Sequence, residues 1–263
     1  MKCNSGFAKR CFIYIICILG YIIPYAQSSF TKLIWQDEFN IPGKPDTSRW
    51  GYDTGNGCPA VCGWGNNELQ YYTDRTENAI VEDGILKIKA KRENYNGAAF
   101  TSARLLSKGK FSVKYGRIEA RVRVPEGVGT WPAFWMLGAN IDKVGWPNCG
   151  EIDIMEHRGY ELNKIFGTLH YPAHHGENAN GKTLVVENAA KEFHVYTAEW
   201  TEEHISISVD GKLIHKVQNK KDIPFNHEFF ILLNMAIGGG FAGPVDPAFS
   251  HATFEIDYVR VYQ

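Results

Sequence analysis

The densest chemistry in the sequence lies in Gly150-Glu151-Ile152-Asp153-Ile154-Met155-Glu156-His157. In a β-strand, successive side chains point to opposite faces. Ile152 and Ile154 then face a core, and Glu151 and Asp153 face away from it. Strict alternation would turn Glu156 inward, where an unpaired carboxylate is expensive. One extra residue at Met155, a β-bulge, removes the conflict and returns Glu156 to the row of Glu151 and Asp153. Crowded acids raise at least one pKa, which sets a protonated acid beside an ionised base. Cleavage of a glycosidic bond needs that pairing. With the bulge, the two glutamate Cα atoms lie about 13 Å apart at roughly 3.3 Å per residue. Inward-leaning side chains can bring the carboxyls to the ~5–5.5 Å of retaining enzymes or leave the wider gap of inverting ones. A solvated acidic strand and a metal site built from the three acids compete for the same spacing.

The surrounding sequence favours the sugar chemistry. Trp131-Pro132-Ala133-Phe134-Trp135-Met136 precedes the acids, Trp146 lies between, and Trp64-Gly65-Asn66-Asn67-Glu68-Leu69-Gln70-Tyr71-Tyr72 and Arg104 lie upstream. Aromatic faces stack on the apolar side of pyranose rings, and Asn, Gln and Arg hydrogen-bond hydroxyls. Trp64, Asn66, Arg104, Trp131, Trp135 and Trp146 are therefore binding candidates, although each aromatic taken singly also suits a core. His170, His174 and His175 suggest zinc, but two histidines four apart share a metal when they lie on a helix, and Pro172 opposes that helix. A strand end or cleft loop is expected, with His170 free to touch sugar. Gly238-Gly239-Gly240 lacks the Lys-Ser/Thr of a phosphate loop and is expected to be a turn.

The elements that position these residues read as strands. Period-2 alternation recurs in Leu86–Lys91, Arg117–Val124 and Ile205–Val209, and Asp210-Gly211 forms a hairpin turn into Leu213-Ile214. Phe229 to Met235 is an apolar run interrupted by Asn234, which predicts a strand covered on both faces. Thr253 to Tyr262 is the last strand. No stretch carries a helical stripe, and no linker or repeat divides the chain. One all-β domain over residues 29–263, two antiparallel sheets packed face to face, is expected.

Composition agrees. The 263 residues are 44% hydrophobic and 22% charged, enough for a full core and too apolar for a disordered chain. With 28 Lys plus Arg against 29 Asp plus Glu, there is no electrostatic footprint for nucleic acid. Residues 1–28 read as a secretory signal peptide: Lys2, Lys9 and Arg10, then apolar Phe12 to Ile23, then Pro24 and the small residues of Ala26-Gln27-Ser28. The protein is thus expected to be secreted, extracellular or periplasmic, with no membrane association after cleavage. The leader takes Cys3, Cys11 and Cys17 with it. Of the cysteines left, Cys58 and Cys62 either close a small loop or stay reduced, and Cys149 is expected to be free and buried.

Several segments together resemble glycoside hydrolase family 16, in particular bacterial laminarinases, which are endo-β-1,3-glucanases. They are Trp35–Phe39, Trp64–Tyr72, Gly116–Arg121, Trp131–Met136, Glu151–Glu156, Tyr196–Trp200, Asn234–Gly239 and Ile256–Tyr262. They run in order through nearly the whole expected mature chain. The resemblance implies a β-jelly roll with a concave substrate cleft for a β-glucan polysaccharide and no catalytic cofactor; a monomer is expected. It implies Glu151, ionised, as nucleophile and Glu156, with its pKa raised, as general acid/base. Asp153 is implied as the assisting carboxylate, and His170 as a cleft histidine. The extra Met155 matches the laminarinase subgroup. The resemblance also implies a structural calcium on the convex face, held by Glu38, the Gly84 carbonyl and Asp257. A non-catalytic carbohydrate-binding lectin, a transglycosylase, or an enzyme of the same fold for mixed-linkage β-1,3-1,4-glucan or another polysaccharide are the alternatives.

Overall fold

The alternating runs form the strands of a computed structural model that describes residues 1 and 30–263. The leader expected at residues 1–28 lies, beyond Met1, outside the described residues. Strands β1 (Leu33–Asp37), β2 (Gly51–Asp53), β3 (Gln70–Tyr72) and β4 (Ala79–Glu82) open the chain. β5 (Ile85–Tyr95), β6 (Ala98–Ser102), β7 (Arg104–Leu106), β8 (Gly116–Arg123) and β9 (Thr130–Gly138) follow. β10 (Glu151–His157), β11 (Lys164–His170), β12 (Asn180–Val185) and β13 (His194–Trp200) come next. β14 (His204–Val209), β15 (Lys212–Gln218), β16 (Phe229–Ile237) and β17 (His251–Tyr262) close it. Among the described residues, helix is confined to single turns, including α1 (Ile141–Val144) and α2 (Gly239–Ala242).

The strands make two sheets. One runs β15-β14-β13-β8-β17-β5-β6-β3, with β1 and β4 added on β17 and β5. The other runs β12-β11-β10-β9-β16-β7-β2. This is the sandwich the alternation predicts, with one departure from a purely antiparallel arrangement: β3 pairs β6 in parallel. That pair is three residues long and sits at the sheet's edge. Nothing in such a short run signals its direction, because direction follows from the long connection across β4 and β5.

The core lies between the sheets. Leu86, Ile88 and Ala90 of β5, Ile118, Ala120 and Val122 of β8, and Ile152 and Ile154 of β10 all point into it. They are the apolar members of the alternating runs. Strand β16 is buried along its whole length. Its inner residues Ile231, Leu233, Met235 and Ile237 join the main core. Its outer residues Phe230 and Leu232 are covered with Leu137, Cys149 and the partly buried Ile141 of α1. The segment between β9 and β10 thus folds over the outer face of the seven-stranded sheet and forms one wall beside the acids.

Candidate active site

Strand β10 is central in its sheet, between β9 and β11. Its register with both neighbours slips between Asp153 and Glu156. Asp153 faces Thr168 and Trp135, whereas Glu156 faces Phe166 and Ala133, so Ile154-Met155 carries the extra residue. Ile152, Ile154 and Met155 are all fully buried in the core. The bulge therefore lets Met155 pack inward and turns Glu156 outward, where Oε1 accepts a hydrogen bond from Trp131 Nε1 at 3.1 Å and Oε2 one from Thr168 Oγ1 at 3.3 Å.

At the other end of the row, Trp146 Nε1 donates to Glu151 Oε2 at 2.8 Å. His170, at the end of β11, directs its Nε2 to 3.2 Å from Asp153 Oδ2 and 3.9 Å from Glu151 Oε1. The backbone N–H of Gly176 donates to His170 Nδ1 at 3.2 Å. Nδ1 is thus an acceptor, and the ring proton sits on Nε2, facing the acids. Asp153 is the most enclosed of the pair that His170 faces, its side chain 4% exposed against 17% for Glu151.

Burial dominates the electrostatics. It pushes Glu151 up to about 8, helped by the charge of Asp153 and opposed by His170 and the Trp146 N–H. It pushes Glu156 up to about 7, opposed by His170 and helped by Glu151. Asp153 rises too, through burial and then the charge of Glu156. The sequence expects a raised Glu156 beside an ionised Glu151; here both glutamates are raised, because both are desolvated. The three acids titrate as one cluster. Glu151 accepts from the Trp146 indole and lies beside His170, on the side of Asp153 away from Glu156. Glu156, with one indole N–H and one hydroxyl, is free to hold and release a proton.

The sequence-predicted binding residues fall into groups around this row. Trp146 is 45% exposed and packs on the His170 and His175 rings, with centroids at 5.8 and 5.4 Å. Arg104 is sandwiched between Trp64 and Trp135, its guanidinium carbon 4.8 and 4.9 Å from their centroids, and is anchored by Asp53 at 3.0 Å. Asn66 is exposed beside Trp64, and its amide donates to Glu68 Oε1 at 3.2 Å. The remaining tryptophans, Trp35, Trp50 and Trp200, belong to the core or pack against it. Reading residue types missed the support beneath these groups. Asn234 accepts from Trp135 Nε1 at 2.7 Å and donates to Tyr72 at 3.0 Å. Glu68 accepts from Gln70 at 2.7 Å, and burial raises its pKa. The signal was present for Asn234, since a lone polar residue in an apolar strand of this register faces the same side as Trp135.

The cysteine and histidine readings resolve as well. Cys58 and Cys62 form a disulfide, and Cys149 is free and buried. His170 to His175 is a strand end and a turn, closed by Tyr171 and His174 pairing, with no helix to align a zinc pair. Oxygen and nitrogen atoms of Glu151, Asp153 and His170 lie within 4.8 Å of one another and could hold a metal ion, but only by using up the nucleophile candidate. For calcium, Glu38 lies just past the end of β1 and Gly84 just before β5, and Asp257 lies at the bulge in the middle of β17, the strand that pairs with both. The Glu38 carboxylate is gripped by Arg260 at 2.7 and 2.9 Å, and Asp257 pairs with Arg121. As placed, those carboxylates face guanidinium groups rather than an open oxygen cage and do not fit a cation.

The family model described as glycosyl hydrolases family 16 matches residues 66–260. A beta-glucanase of Rhodothermus marinus is 43% identical over 248 residues, 88% of this chain and 85% of that protein. Glucan endo-1,3-beta-glucosidase A1 of Niallia circulans is 39% identical over 258 residues. That alignment takes in 88% of this chain but 38% of the longer protein. Among solved structures, the laminarinase from Rhodothermus marinus superposes with a TM-score of 0.83 at 44% identity, covering 88% of this chain and 97% of that one.

Proposed function

The chain belongs to glycosyl hydrolases family 16, and from that membership we propose that it cleaves internal β-1,3-glucosidic bonds of laminarin-like glucans with retention at the anomeric carbon. The observation that carries the proposal is the row Glu151–Asp153–Glu156: three acids on one outer face, Asp153 and Glu156 buried and Glu151 half-buried, supplied with neutral donors and an imidazole.

The reaction uses these residues in two displacements. Glu156 gives its proton to the glycosidic oxygen as the bond to the anomeric carbon breaks. The Glu151 carboxylate attacks that carbon and forms a glycosyl-enzyme, and the leaving sugar departs as an alcohol. Glu156, now ionised, takes a proton from water, whose oxygen displaces Glu151 and restores both residues. Asp153 holds Glu151 in place and shares proton charge with it. Trp131 and Trp146 orient the two glutamates through their indole N–H groups. No metal or cofactor enters any step. Trp64, Asn66, Arg104, Trp135 and His170 bind the glucan.

Incubation with laminarin, lichenan, agarose and carrageenan tests the substrate, and early appearance of mixed oligosaccharides from laminarin tests the endo mode. The anomer first released, followed by NMR, tests retention. No turnover of laminarin alongside turnover of another polysaccharide would move the specificity within the family. Binding without turnover would favour the lectin reading.

The proposal extends to the cell exterior. No described helix is long and apolar enough to cross a membrane. With the basic-then-apolar leader, this supports export, and intact mass of the exported protein should lack about 26 to 28 residues. Retention of Met1 on membrane-bound protein would overturn it. Calcium is not part of the proposal, since binding would have to draw Asp257 from Arg121 and Glu38 from Arg260.

A further inference from the structure

The acids rest on strands, but the segment that carries Trp64 and Asn66 does not. Gly55 and Tyr72 exchange both backbone hydrogen bonds, at 2.9 and 2.8 Å, so residues 56–71 leave and rejoin the fold at one point. Every residue from 56 to 65 is exposed or half-buried, so no apolar core holds this stretch. Trp64 nonetheless has left-handed backbone, φ 52°, beside Gly63 at φ 60°. A bulky side chain rarely adopts that region, and it persists there only where the surroundings over-determine it. The Trp64 ring meets Arg104 at 4.8 Å and Tyr72 at 5.6 Å. Its indole N–H has no acceptor among the described residues, so no hydrogen bond of the side chain fixes it.

The backbone before Trp64 supplies the constraint. A disulfide ties Cys58 to Cys62, two positions ahead of the tryptophan. Across the same turn the Val61 N–H donates to the Gly57 oxygen at 2.7 Å, and the Gly63 N–H to the Asn56 oxygen at 2.8 Å. The fit is close: a Cβ on Gly57 would meet the Val61 oxygen at 2.1 Å and the Trp64 nitrogen at 3.1 Å. Beyond Trp64, the Asn66 oxygen accepts from the Gly240 N–H of α2 at 2.8 Å. The far end of the loop is thus anchored to another part of the fold. The near end has exposed hydrogen bonds, for which water competes, and one covalent tie.

Resting on the hydrolase reading, we propose that the Cys58–Cys62 disulfide is a positioning element for glucan binding, which holds Trp64 on Arg104 and keeps the Trp64–Arg104–Trp135 stack assembled before the glucan arrives. With the bond opened, Trp64 is free to relax to ordinary backbone. Apparent affinity then falls by the fraction of molecules that still hold the stack. Glu151, Asp153 and Glu156 stand on β10 with partners from other segments, so the chemical step is spared.

Both cysteines are exposed and Cys149 is buried, so a reductant reaches this one bond. Tris(2-carboxyethyl)phosphine with water splits it into two thiols and becomes the phosphine oxide, and a count of accessible thiols marks completion. On laminarin, reduction should raise KM about tenfold with kcat within about twofold, as for a stack assembled roughly one-tenth of the time. Reoxidation should restore KM, and Cys58→Ser with Cys62→Ser should match the reduced protein. A tie that served stability alone would lower the melting temperature and leave KM where it was. In Trp64→Ala the ring is gone, so reduction should move KM by less than about twofold further. A KM unmoved by complete reduction, or the same tenfold rise in Trp64→Ala, would overturn the positioning role. Calorimetry of laminarihexaose on Glu151→Gln reads the same loss without turnover. Oxidised wild-type protein that binds glucan but does not cleave it would overturn the hydrolase reading and leave the calorimetry to decide the role of the disulfide.

Discussion

The two sheets turn the same alternating pattern outward and do opposite things with it. On the ten-stranded sheet, β8 and β17 expose acids and arginines in register. Arg121 pairs with Asp257, Arg123 with Glu255, Arg117 with Glu119 at 3.4 Å, and Arg260 with Glu38. Tyrosines lie beneath, with Arg260 3.7 Å over Tyr258 and Arg117 4.1 Å over Tyr262. On the seven-stranded sheet, β10 exposes three acids whose nearest cationic candidate is His170. Indole, hydroxyl and imidazole groups hold those acids in place. Paired charges on one face are satisfied and inert, while unpaired buried charges on the other are costly and reactive.

The largest test of that contrast removes the reactive acids. Glu151→Ala should lower laminarin hydrolysis by on the order of 10⁴-fold or more, and azide should restore turnover of an activated β-glucoside with inverted product. Glu156→Ala should spare the first displacement on activated substrates, which need no proton. Glu255→Ala on the opposite sheet should leave kcat/KM within about twofold, because an ion pair on the far face touches no reacting atom. Substantial laminarinase activity in Glu151→Ala would break the comparison.

The pH profile comes next in size. Burial pushes Glu156 to about 7 and Glu151 to about 8. The competent state needs one proton between the two glutamates. Below about 7 both hold protons and the nucleophile is lost; above about 8 neither does and the acid is lost. The kcat/KM of free enzyme should therefore be bell-shaped with its maximum between these values, the two limbs belonging to the cluster rather than to either residue. Asp153→Asn removes a negative neighbour that raises Glu151, so the acidic limb should move to lower pH. A limb that stays fixed in Asp153→Asn would detach Asp153 from the nucleophile.

How much of this was legible depends on what decides each feature. The core face of β5, β8 and β14 follows from period-2 alternation alone, and the bulge at Ile154-Met155 follows from the cost of burying Glu156. The sandwich and the acid row were thus readable from residue order. The partners were not, because they come from distant segments. Arg104 meets Trp64 and Trp135 only once β7, β9 and the loop before β3 converge. Asn234 meets Tyr72 across 162 positions. Arg260, 222 positions from Glu38, takes up the carboxylate that the family resemblance reserves for calcium.

A stability measurement sharpens the contrast between the faces. Glu151 titrates near 4.5 when exposed and at about 8 in the folded protein. Between those values the folded state binds the extra proton, so stability falls as pH rises through the window. Glu151→Gln should therefore stabilise the protein at pH 8 by about 1–2 kcal/mol, allowing for partial solvent access, a melting rise of roughly 2–8 °C, and by much less at pH 5. Glu255→Gln should do the reverse, destabilising by under about 1 kcal/mol at either pH. The same sign on both faces would show that the β10 acids are not under electrostatic strain.

Chelation gives the smallest expected effect and tests the paired face directly. A cation that binds only the folded state raises stability by mass action. At Glu38, Gly84 and Asp257, though, it would have to displace Arg260 and Arg121, which already neutralise both carboxylates. The net gain from calcium should then be under about 1 kcal/mol, so chelator should lower the melting temperature by no more than roughly 2–4 °C. kcat should not change, since Asp257 and Glu38 lie on the sheet opposite the acids. Arg121→Ala should enlarge the calcium-dependent shift by freeing Asp257 for the ion. A shift of zero in both proteins would leave the arginines as the only partners these carboxylates have. A large shift in the wild type would mean that this face, too, carries charge the fold has not neutralised, and the division of labour between the two sheets would fail.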